Sequence, residues 1–505
     1  MRSNPSSARR SVALLGAVLG AACSHDWSAY DPRLDAASQG GTGQGGSGAG
    51  DPGSGTGAGN TGPGGQGQGG AGAGPSSGEP LWAMALTDDD VDTPAPAVAV
   101  DSAGNVFVAG TFRGELRGDG ELLMTSLGER DAYVLKLGPT GGLLWTARLG
   151  GPGDQRIYGV AVDAAEGVFI TGEYKGELAF GSEVLSSPET TNMFVARLDA
   201  SGAPLCAREH GDADGDQFGI DVAAVGNGAV VVGMYFGTIE LGGTTYGNAG
   251  DRDTFIARFD AQCEVVWSHA YGSTGADFGW SVAATAGGRV ALGMDSPGTL
   301  DLGGGELPGD DTDDDALLAS LGPSGEYLWG KRLGDGDSQW APRVSFDLAG
   351  NVLAAGSLWG QMDLGVDVLT SAGGPDVYVL KIDGAGTPLW GRRYGDGLEQ
   401  HAFKTAVDAS GAVLVTGGMQ GTVDFGGGSR ASAGNMDLFV LKLDGDGQHL
   451  WSLHAGDAAE QVGTGLAVAG SGAAVVSGYF SGTMDLGKQL VSTSGVDGFV
   501  ARLAP

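Results

Sequence analysis

A tryptophan that returns about every 61 residues constrains this chain more than any other feature. It occupies six of seven regularly spaced positions, and Cys206 occupies the remaining one. The tryptophans are Trp82, Trp145, Trp267, Trp329, Trp390 and Trp451, and the seven positions are 63, 61, 61, 62, 61 and 61 residues apart. A unit of this length cannot bury a core alone and must pack against its neighbours. The spacing therefore predicts a repeat protein.

Each unit contains short runs that favour β-strands. In the sixth copy "AVLVTGGM", "DLFVLKLD" and "QHLWSLHAG" are rich in Val, Leu and Phe and are separated by turns rich in Gly and Asp. Four strands joined by short turns pair antiparallel. Runs such as "VYVLKI" are apolar on both faces, which is typical of a sheet that is covered on both sides. We predict an all-β fold: a seven-bladed β-propeller of four-stranded antiparallel blades over residues 79–505.

The tryptophan strand is predicted to be the outermost strand of each blade, because Pro204 and Pro388 stand at its start and proline is tolerated at an edge. Its tryptophan is expected to fill the gap between adjacent wedge-shaped blades. The region starts with such a strand, 81–86, and ends at 498–503 with the strand that elsewhere precedes one. An open ring would expose two unpaired edges. We therefore predict that the N- and C-terminal strands pair and close the ring.

The first 22 residues are predicted to be a signal peptide of the lipoprotein type. Three arginines precede the apolar run "VALLGAVLGAA", which is too short to span a bilayer. Small residues followed by Cys23 resemble the lipobox of bacterial lipoproteins, so Cys23 is the expected lipidation site; ordinary cleavage beside "GAA" is the alternative. Residues 23–38 would form a short mature N-terminus, and the Gly-rich segment 39–78 a disordered tether. The expected location is the outer membrane or cell surface.

Charge and cysteine content add two expectations. The net charge of −34 argues against nucleic-acid binding, because phosphate recognition needs clustered Lys and Arg. Once Cys23 is set aside, Cys206 and Cys263 remain as an even pair in an oxidising compartment. They lie about one repeat apart and are candidates for a disulfide between adjacent units, with two separate thiols as the alternative.

The repeats also resemble a known family. Two stretches carry this resemblance, "VDSAGNVFVAGTF" and "DVYVLKIDGAGTPLW", together with a recurring G-x-x-x-G that is mostly followed by x-x-D-[LF]-G. They resemble the bacterial surface-protein β-propeller repeats of the SBBP type. The resemblance covers residues 81–503 and implies the propeller architecture without catalytic residues. The D-x-x-G-x-x-x-W spacing is also similar to the tryptophan-docking motif of quinoprotein propellers, one residue shorter, and nothing indicates a quinone site.

Candidate site residues lie in the loops that follow the tryptophan strand. A polar residue recurs at one position of these loops, and together these residues could form a binding rim around the channel. They are Gln155, Gln217, Asp277, Gln339, Gln400 and Gln461, with Thr93 at the same position of the first copy. The alternative is that each satisfies backbone groups between sheets, since a structural role explains recurrence in every copy. The histidines lack metal-ligand spacing, and Asp212, Asp214 and Asp216 are weak Ca²⁺ candidates without a complete calcium loop. We expect no cofactor and no catalytic residue.

The fourth copy departs from the others. Ser320 replaces the basic residue found in the other copies, and "GDDTDDDALL" adds five acidic side chains. Divergence in one blade is where a private partner or a Ca²⁺ would be sought, against the alternative of a solvated loop.

The predicted function is that of a tethered extracytoplasmic scaffold, monomeric and lipid-anchored, that binds a protein or glycan on a propeller face. The alternatives are an envelope-assembly component, similar to outer-membrane lipoprotein propellers, and a hydrolase of surface glycans. The hydrolase would need an asymmetric carboxylate or histidine cluster in the channel.

Overall fold

The computed structural model describes residues 77–89, 95–211, 215–310, 312–334, 337–493 and 495–505. The predicted signal peptide, the segment 23–38 with Cys23, and residues 39–76 of the predicted tether lie outside the described residues. All regular structure in the described ranges is β, and none of it includes a helix long and apolar enough to cross a membrane.

The described residues form forty strands, with a short hairpin between the second and third long strands of each copy. The first copies contain β1 Pro80–Thr87, β2 Ala97–Val100, β3 Val106–Phe112, β4 Glu115–Gly118, β5 Glu121–Thr125, β6 Asp131–Leu137, β7 Leu143–Leu149, β8 Gly153–Val162, β9 Val168–Phe180, β10 Glu183–Leu198 and β11 Pro204–His210. The middle copies contain β12 Gln217–Val225, β13 Gly228–Tyr235, β14 Thr238–Leu241, β15 Thr244–Gly247, β16 Asp253–Phe259, β17 Val265–Tyr271, β18 Phe278–Ala284, β19 Val290–Ser296, β20 Leu300–Asp301, β21 Glu306–Leu307, β22 Asp315–Leu321 and β23 Tyr327–Leu333. The last copies contain β24 Gln339–Phe346, β25 Val352–Leu358, β26 Gln361–Asp363, β27 Val368–Thr370, β28 Asp376–Ile382, β29 Pro388–Tyr394, β30 Gln400–Val407, β31 Val413–Met419, β32 Thr422–Asp424, β33 Ser429–Ala431, β34 Asp437–Leu443, β35 His449–Ala455, β36 Gln461–Val468, β37 Ala474–Phe480, β38 Thr483–Asp485, β39 Gln489–Val491 and β40 Asp497–Leu503.

The long strands form seven four-stranded antiparallel blades, as predicted. From the innermost strand outward, blades 1 to 7 are β2-β3-β6-β7, β8-β9-β10-β11, β12-β13-β16-β17, β18-β19-β22-β23, β24-β25-β28-β29, β30-β31-β34-β35 and β36-β37-β40-β1. Each innermost strand contacts the innermost strands of the two adjacent blades, and β36 contacts β2, so the ring is closed. In blades 1 and 4 to 7 every residue of the second and third strands is buried. The core therefore lies between neighbouring sheets, which explains why these strands lack polar alternation.

The predicted closure of the ring is confirmed. The N-terminal strand β1 is the outermost strand of blade 7 and pairs antiparallel with β40, with Trp82 opposite Arg502 and Leu86 opposite Gly498. Gly78, assigned to the tether from the sequence, donates its N–H to the Ala504 carbonyl at 3.1 Å and lies against the indole of Trp451. Gly78 therefore belongs to the propeller, because blade 7 needs it for the same contact that the other blades make.

Each repeated tryptophan packs on a glycine of the next blade. The glycine stands in the turn between the third and fourth long strands, or at the N-terminus for blade 7, with a φ of 77–88°. The pairs are Trp82 with Gly141, Trp145 with Gly202, Trp267 with Gly325, Trp329 with Gly386, Trp390 with Gly447 and Trp451 with Gly78. A Cβ at any of these glycines would lie only 2.8–3.1 Å from the nearest indole atom. Glycine is thus required both for its backbone conformation and for room beside the ring.

The same turns accept hydrogen bonds from the preceding blade. The indole N–H of Trp145 donates to the Ala200 carbonyl at 3.1 Å, and the Lys136 ammonium donates to the same oxygen at 3.4 Å. Trp390 and Lys381 share the Gly445 carbonyl in the same way, both at 3.1 Å. Four of the recurring basic residues also pair with an aspartate in the turn that links the first and second strands: Lys136 with Asp101, Arg197 with Asp163, Lys381 with Asp347 and Lys442 with Asp408. The indole and ammonium hydrogen bonds therefore join adjacent blades, whereas the ion pairs join strands within one blade.

The junction between blades 2 and 3 uses a different device. Cys206 stands at the tryptophan position, Cys263 stands at the glycine position of the next blade with a φ of 62°, and the two are joined by a disulfide. The Cα atoms are 6.1 Å apart. A covalent link thus replaces the tryptophan–glycine contact at one of the seven junctions.

Candidate binding site at the channel

The two ends of the propeller carry different features. We call the end with the short hairpins and the starts of the innermost strands the hairpin face, and the opposite end, with the aspartate turns and the tryptophan junctions, the turn face. The predicted polar ring lies at the hairpin face, where the chain enters each innermost strand.

The predicted ring residues are buried in the walls of the propeller, each at most 1% exposed. Gln155 accepts a hydrogen bond from the Gly151 N–H at 3.3 Å and donates to the Glu177 carbonyl at 3.0 Å. Gln217, Gln339, Gln400 and Gln461 donate likewise to the carbonyls of Thr238, Trp359, Gln420 and Ser481. Asp277 accepts from the Ser273 N–H at 2.6 Å, and burial raises its pKa. The five glutamines thus bind backbone carbonyls of their own blade, where the structural alternative expected backbone groups between sheets. Thr93 lies outside the described residues.

The weak calcium candidates are only partly described. Asp212 and Asp214 lie outside the described residues, and Asp216 accepts a hydrogen bond from the Thr191 N–H at 2.8 Å. In the part of the chain that the structure describes, no group of three or more His, Cys, Asp or Glu side chains is arranged to hold a metal ion.

The innermost strands of blades 2 to 7 each contain a β-bulge, and the residue after it defines a ring of positions along the channel. In five of these six strands the register shift falls between the second and fourth residues after the buried Gln or Asp. In blade 5 it falls between the first and fourth, Trp340 and Arg343. Four consecutive blades place polar side chains at the fourth position, while the other three have glycine or alanine: Asp221, Ser281, Arg343 and Lys404 against Gly465, Ala97 and Gly159. The channel is therefore asymmetric although the scaffold is repetitive.

An ion pair crosses the channel at this level. The Lys404 ammonium of blade 6 lies 2.9 and 3.0 Å from the two carboxylate oxygens of Asp221 in blade 3. Blades 3 and 6 are not neighbours in the ring, so the contact has to span the centre. Asp221 also accepts from the Ser281 hydroxyl at 3.2 Å and the Val282 N–H at 3.1 Å. The carboxylate is thus fully engaged by the protein itself.

Arg343 is held differently. Its Nη1 donates to the Trp280 carbonyl at 2.8 Å, and its guanidinium carbon lies 5.1 Å from the centre of the Trp280 ring. Among the described residues it forms no ion pair, and its buried Nε has no hydrogen-bond partner. Burial lowers the pKa of Arg343, and the charges of Asp221 and Asp295 oppose that shift. A guanidinium offers five N–H donors, so most of its donor capacity is unused by the described chain.

Three tryptophans outside the repeat stand on blades 4 and 5, and Trp280 is the one whose ring packs against Arg343. Trp280 donates to the Asp295 carboxylate at 2.6 Å and stacks on Phe278 with parallel rings whose centres are 5.4 Å apart. The ring centres of Trp340 and Trp359 are 4.8 Å apart, and Trp359 lies 6.0 Å from His401 of blade 6. All three indoles are half-buried. The ring centre of Phe403 lies 6.0 Å from that of His401. The blade 4–6 cluster is the name that we give to the following set: Trp280, Trp340, Trp359, His401, Phe403, Arg343 and Lys404.

A titratable group outside the blade 4–6 cluster, Glu173, lies at the hairpin face of blade 2. Glu173 accepts a hydrogen bond from the Tyr158 hydroxyl at 2.9 Å and lies 3.6 Å from Arg156. Burial raises the pKa of Glu173 to about 7, although Arg156 acts in the opposite direction. Its second carboxylate oxygen is buried with no partner among the described residues. The charges of two nearby carboxylates, Asp154 and Asp216, also raise the pKa of Glu173, and Asp154 is itself paired with Arg156 at 3.1 Å.

The blade 4–6 cluster was not predicted from the sequence, although a signal for it was present. Of the ten tryptophans, six belong to the repeated junction and one lies before residue 39, which leaves the three in the cluster. Subtracting the repeat from the tryptophan pattern would have found them, because "FGWSV", "QWAPRV" and "SLWGQ" are out of register. Asp221 and Lys404 carry no such signal.

Comparison with known proteins assigns this chain to no family. No protein family matches the sequence, so the resemblance to SBBP-type repeats stays a prediction, and no curated protein matches it. Solved β-propeller structures align at low similarity. The WD40 domain of Pan2 from Neurospora crassa covers 83% of this chain and 96% of its own length at 10% identity and a TM-score of 0.40.

Two further structures align in the same range. The WD40 propeller of Doa1 covers 84% of this chain and 96% of its own, at 9% identity and a TM-score of 0.38. Puromycin hydrolase covers 81% of this chain and 54% of its own, at 12% identity and a TM-score of 0.42. At this level of identity such alignments carry no information about function.

Proposed function

We propose that this protein is an extracytoplasmic binding scaffold, lipid-anchored through Cys23, whose propeller takes a partner at the hairpin face over the blade 4–6 cluster. The observation that carries the proposal is the asymmetry of the channel. A purely structural repeat would have equivalent side chains in every blade, whereas aromatic and cationic residues concentrate on three adjacent blades.

The chemistry of the cluster suits binding. Partly exposed indoles offer large contact areas with little loss of side-chain entropy, and arginine beside them adds directional donors. Trp, Tyr and Arg are also the residues that most often dominate binding energy at interfaces. In the described residues, the nearby charged groups Asp221 and Lys404 neutralise each other, which favours recognition over acid–base chemistry. The proposal therefore includes no catalytic step.

Site-specific photo-crosslinking tests the position of the partner. A photoreactive amino acid at Gln361, exposed on the blade 5 hairpin next to Trp359, should yield an adduct in intact cells. The same probe at Leu144, 57% exposed on the outer strand of blade 1, is the matched control. Trp359→Ala should abolish the adduct at position 361. Equal adducts from both positions, or an adduct that survives Trp359→Ala, would contradict the proposal.

The anchor is tested separately. Cys23→Ser should release the protein from membranes and abolish lipid labelling, because the mature N-terminal cysteine would be the acylated residue. Continued membrane association without any lipid would show that the lipoprotein interpretation is wrong.

A further inference from the structure

We propose that the blade 4–6 cluster binds an acidic saccharide, with the carboxylate of a single uronic acid on Arg343 and sugar rings against the neighbouring indoles. This inference rests on the proposed function and names the chemical class of its ligand.

The hydrogen-bond donors of Arg343 that the described chain leaves unused indicate that the ligand carries a carboxylate. Arg343 spends one hydrogen bond on the Trp280 carbonyl and has no ion-pair partner among the described residues. Lys404 is unlike it, since both oxygens of Asp221 already hold its ammonium. A carboxylate only accepts hydrogen bonds and matches a planar guanidinium with two parallel N–H···O bonds.

Trp280 contributes to the same conclusion. Its ring lies under the Arg343 guanidinium, and its indole N–H is fixed by Asp295. This arrangement holds the guanidinium in a defined orientation before any ligand arrives, which lowers the entropic cost of binding. Arg343 is therefore a preorganised anchor, in contrast to a mobile surface arginine.

The aromatic side chains and the polar groups around them indicate that the rest of the ligand is a saccharide. Trp340 and Trp359 form an edge-to-face pair on blade 5, the blade that carries Arg343, and Trp359 lies beside His401 of blade 6. A pyranose ring presents an apolar C–H face to an indole while its hydroxyls remain free for hydrogen bonds. Ligand sites commonly combine aromatic walls with a few oriented polar groups in this way.

The charge of the whole protein limits the size of the ligand. With 61 acidic and 27 basic residues, the chain repels extended polyanions at a distance. A saccharide with one carboxylate experiences little of this repulsion and still neutralises the guanidinium. We therefore expect one uronic acid among neutral sugars, in preference to a uniformly charged polymer.

Calorimetric titration of the full-length chain with an aldobiouronic acid, which joins one uronic acid to one neutral sugar, tests the inference. We expect saturable binding that quenches tryptophan fluorescence. Esterifying the carboxylate with methanol should weaken binding roughly tenfold or more, since a charge-assisted hydrogen bond is lost. This comparison uses the wild-type protein only, so it does not depend on the folding of a variant.

Variants then assign the site. Arg343→Gln should weaken binding to a similar extent, Arg343→Lys should retain part of it, and Arg208→Gln, on the outer strand of blade 2, should leave it unchanged. Equal binding of acid and ester would overturn the inference, as would equal or tighter binding of N-acetyl-alanyl-glutamyl-alanine amide. Absence of saccharide binding, with the crosslink at position 361 intact, would overturn only this inference. Absence of both would overturn the proposed function as well.

Discussion

Reducing the disulfide between Cys206 and Cys263 should destabilise the propeller, while restoring the residues of the repeat should make the disulfide unnecessary. The two cysteines are 57 residues apart in sequence. A cross-link that closes a loop of this length lowers the entropy of the unfolded chain enough to stabilise the folded state by about 4 kcal/mol. Reduction of the wild-type protein should remove a contribution of that order from the free energy of unfolding.

The replacement that tests this view is Cys206→Trp with Cys263→Gly, which rebuilds the contact made at the other six junctions. Burying an indole face contributes about 2 kcal/mol, and glycine relieves the left-handed backbone at position 263, worth roughly 1 kcal/mol. The Ala261 carbonyl occupies the position that accepts the indole N–H elsewhere and already lies 3.7 Å from the Cys206 sulfur. The variant should therefore recover most of the lost stability.

Urea unfolding followed by circular dichroism, with and without reductant, measures these effects. The wild-type midpoint should fall on reduction, and the Trp–Gly variant should be insensitive to reductant. Cys206→Ala with Cys263→Gly is the matched control, because it has neither the disulfide nor the indole and should be the least stable. Identical midpoints for oxidised and reduced wild type, or for the Trp–Gly and Ala–Gly variants, would refute the reasoning.

Three other perturbations test separate contacts. Since burial raises the pKa of Glu173 from 4.5 to about 7, the protonated form stabilises the fold below pH 4.5 and this contribution is lost as the pH rises through 7. Glu173→Gln should remove that slope and add up to about 3 kcal/mol at pH 8 relative to wild type, measured by urea unfolding; unchanged pH dependence would contradict it. Arg289→Ala should cost about 2 kcal/mol, because Arg289 donates to the Ser320 hydroxyl at 2.8 Å and to two carbonyls of blade 5. Adding Ser320→Arg should restore thermal stability, and failure to do so would show that Arg289 does not substitute for the missing basic residue. Deleting Pro80–Thr87 should cost about 5 kcal/mol in the same assay through lost burial in blade 7, and deleting eight residues within 39–76 should cost almost nothing; equal losses would contradict the closure.

The architecture could be predicted because the same strand pattern occurs in seven copies of the repeat. The seven positions gave the number of blades, and the unmatched strands at the two ends predicted the closure that β1 and β40 form. The short hairpins were not predicted. Their strands, such as Thr422–Asp424, have only two to five residues where they are separate from the blade strands, and many are bordered by glycine, so they carry little hydrophobic signal. They are held by contacts from other segments, such as the amide of Gln400 on the Gln420 carbonyl.

The sequence by itself determined the fold and the outermost position of the tryptophan strand. These features depend on local pattern and on neighbours one repeat away. The candidate site depends on contacts that no local pattern encodes. Asp221 and Lys404 are 183 residues apart and meet because a closed ring brings nonadjacent blades to one channel. The β-bulges in the innermost strands of blades 2 to 7, set by pairing with the second strands, decide which residues follow them along the channel. Ring closure and strand register are properties of the assembled structure, and they placed Arg343 beside Trp280.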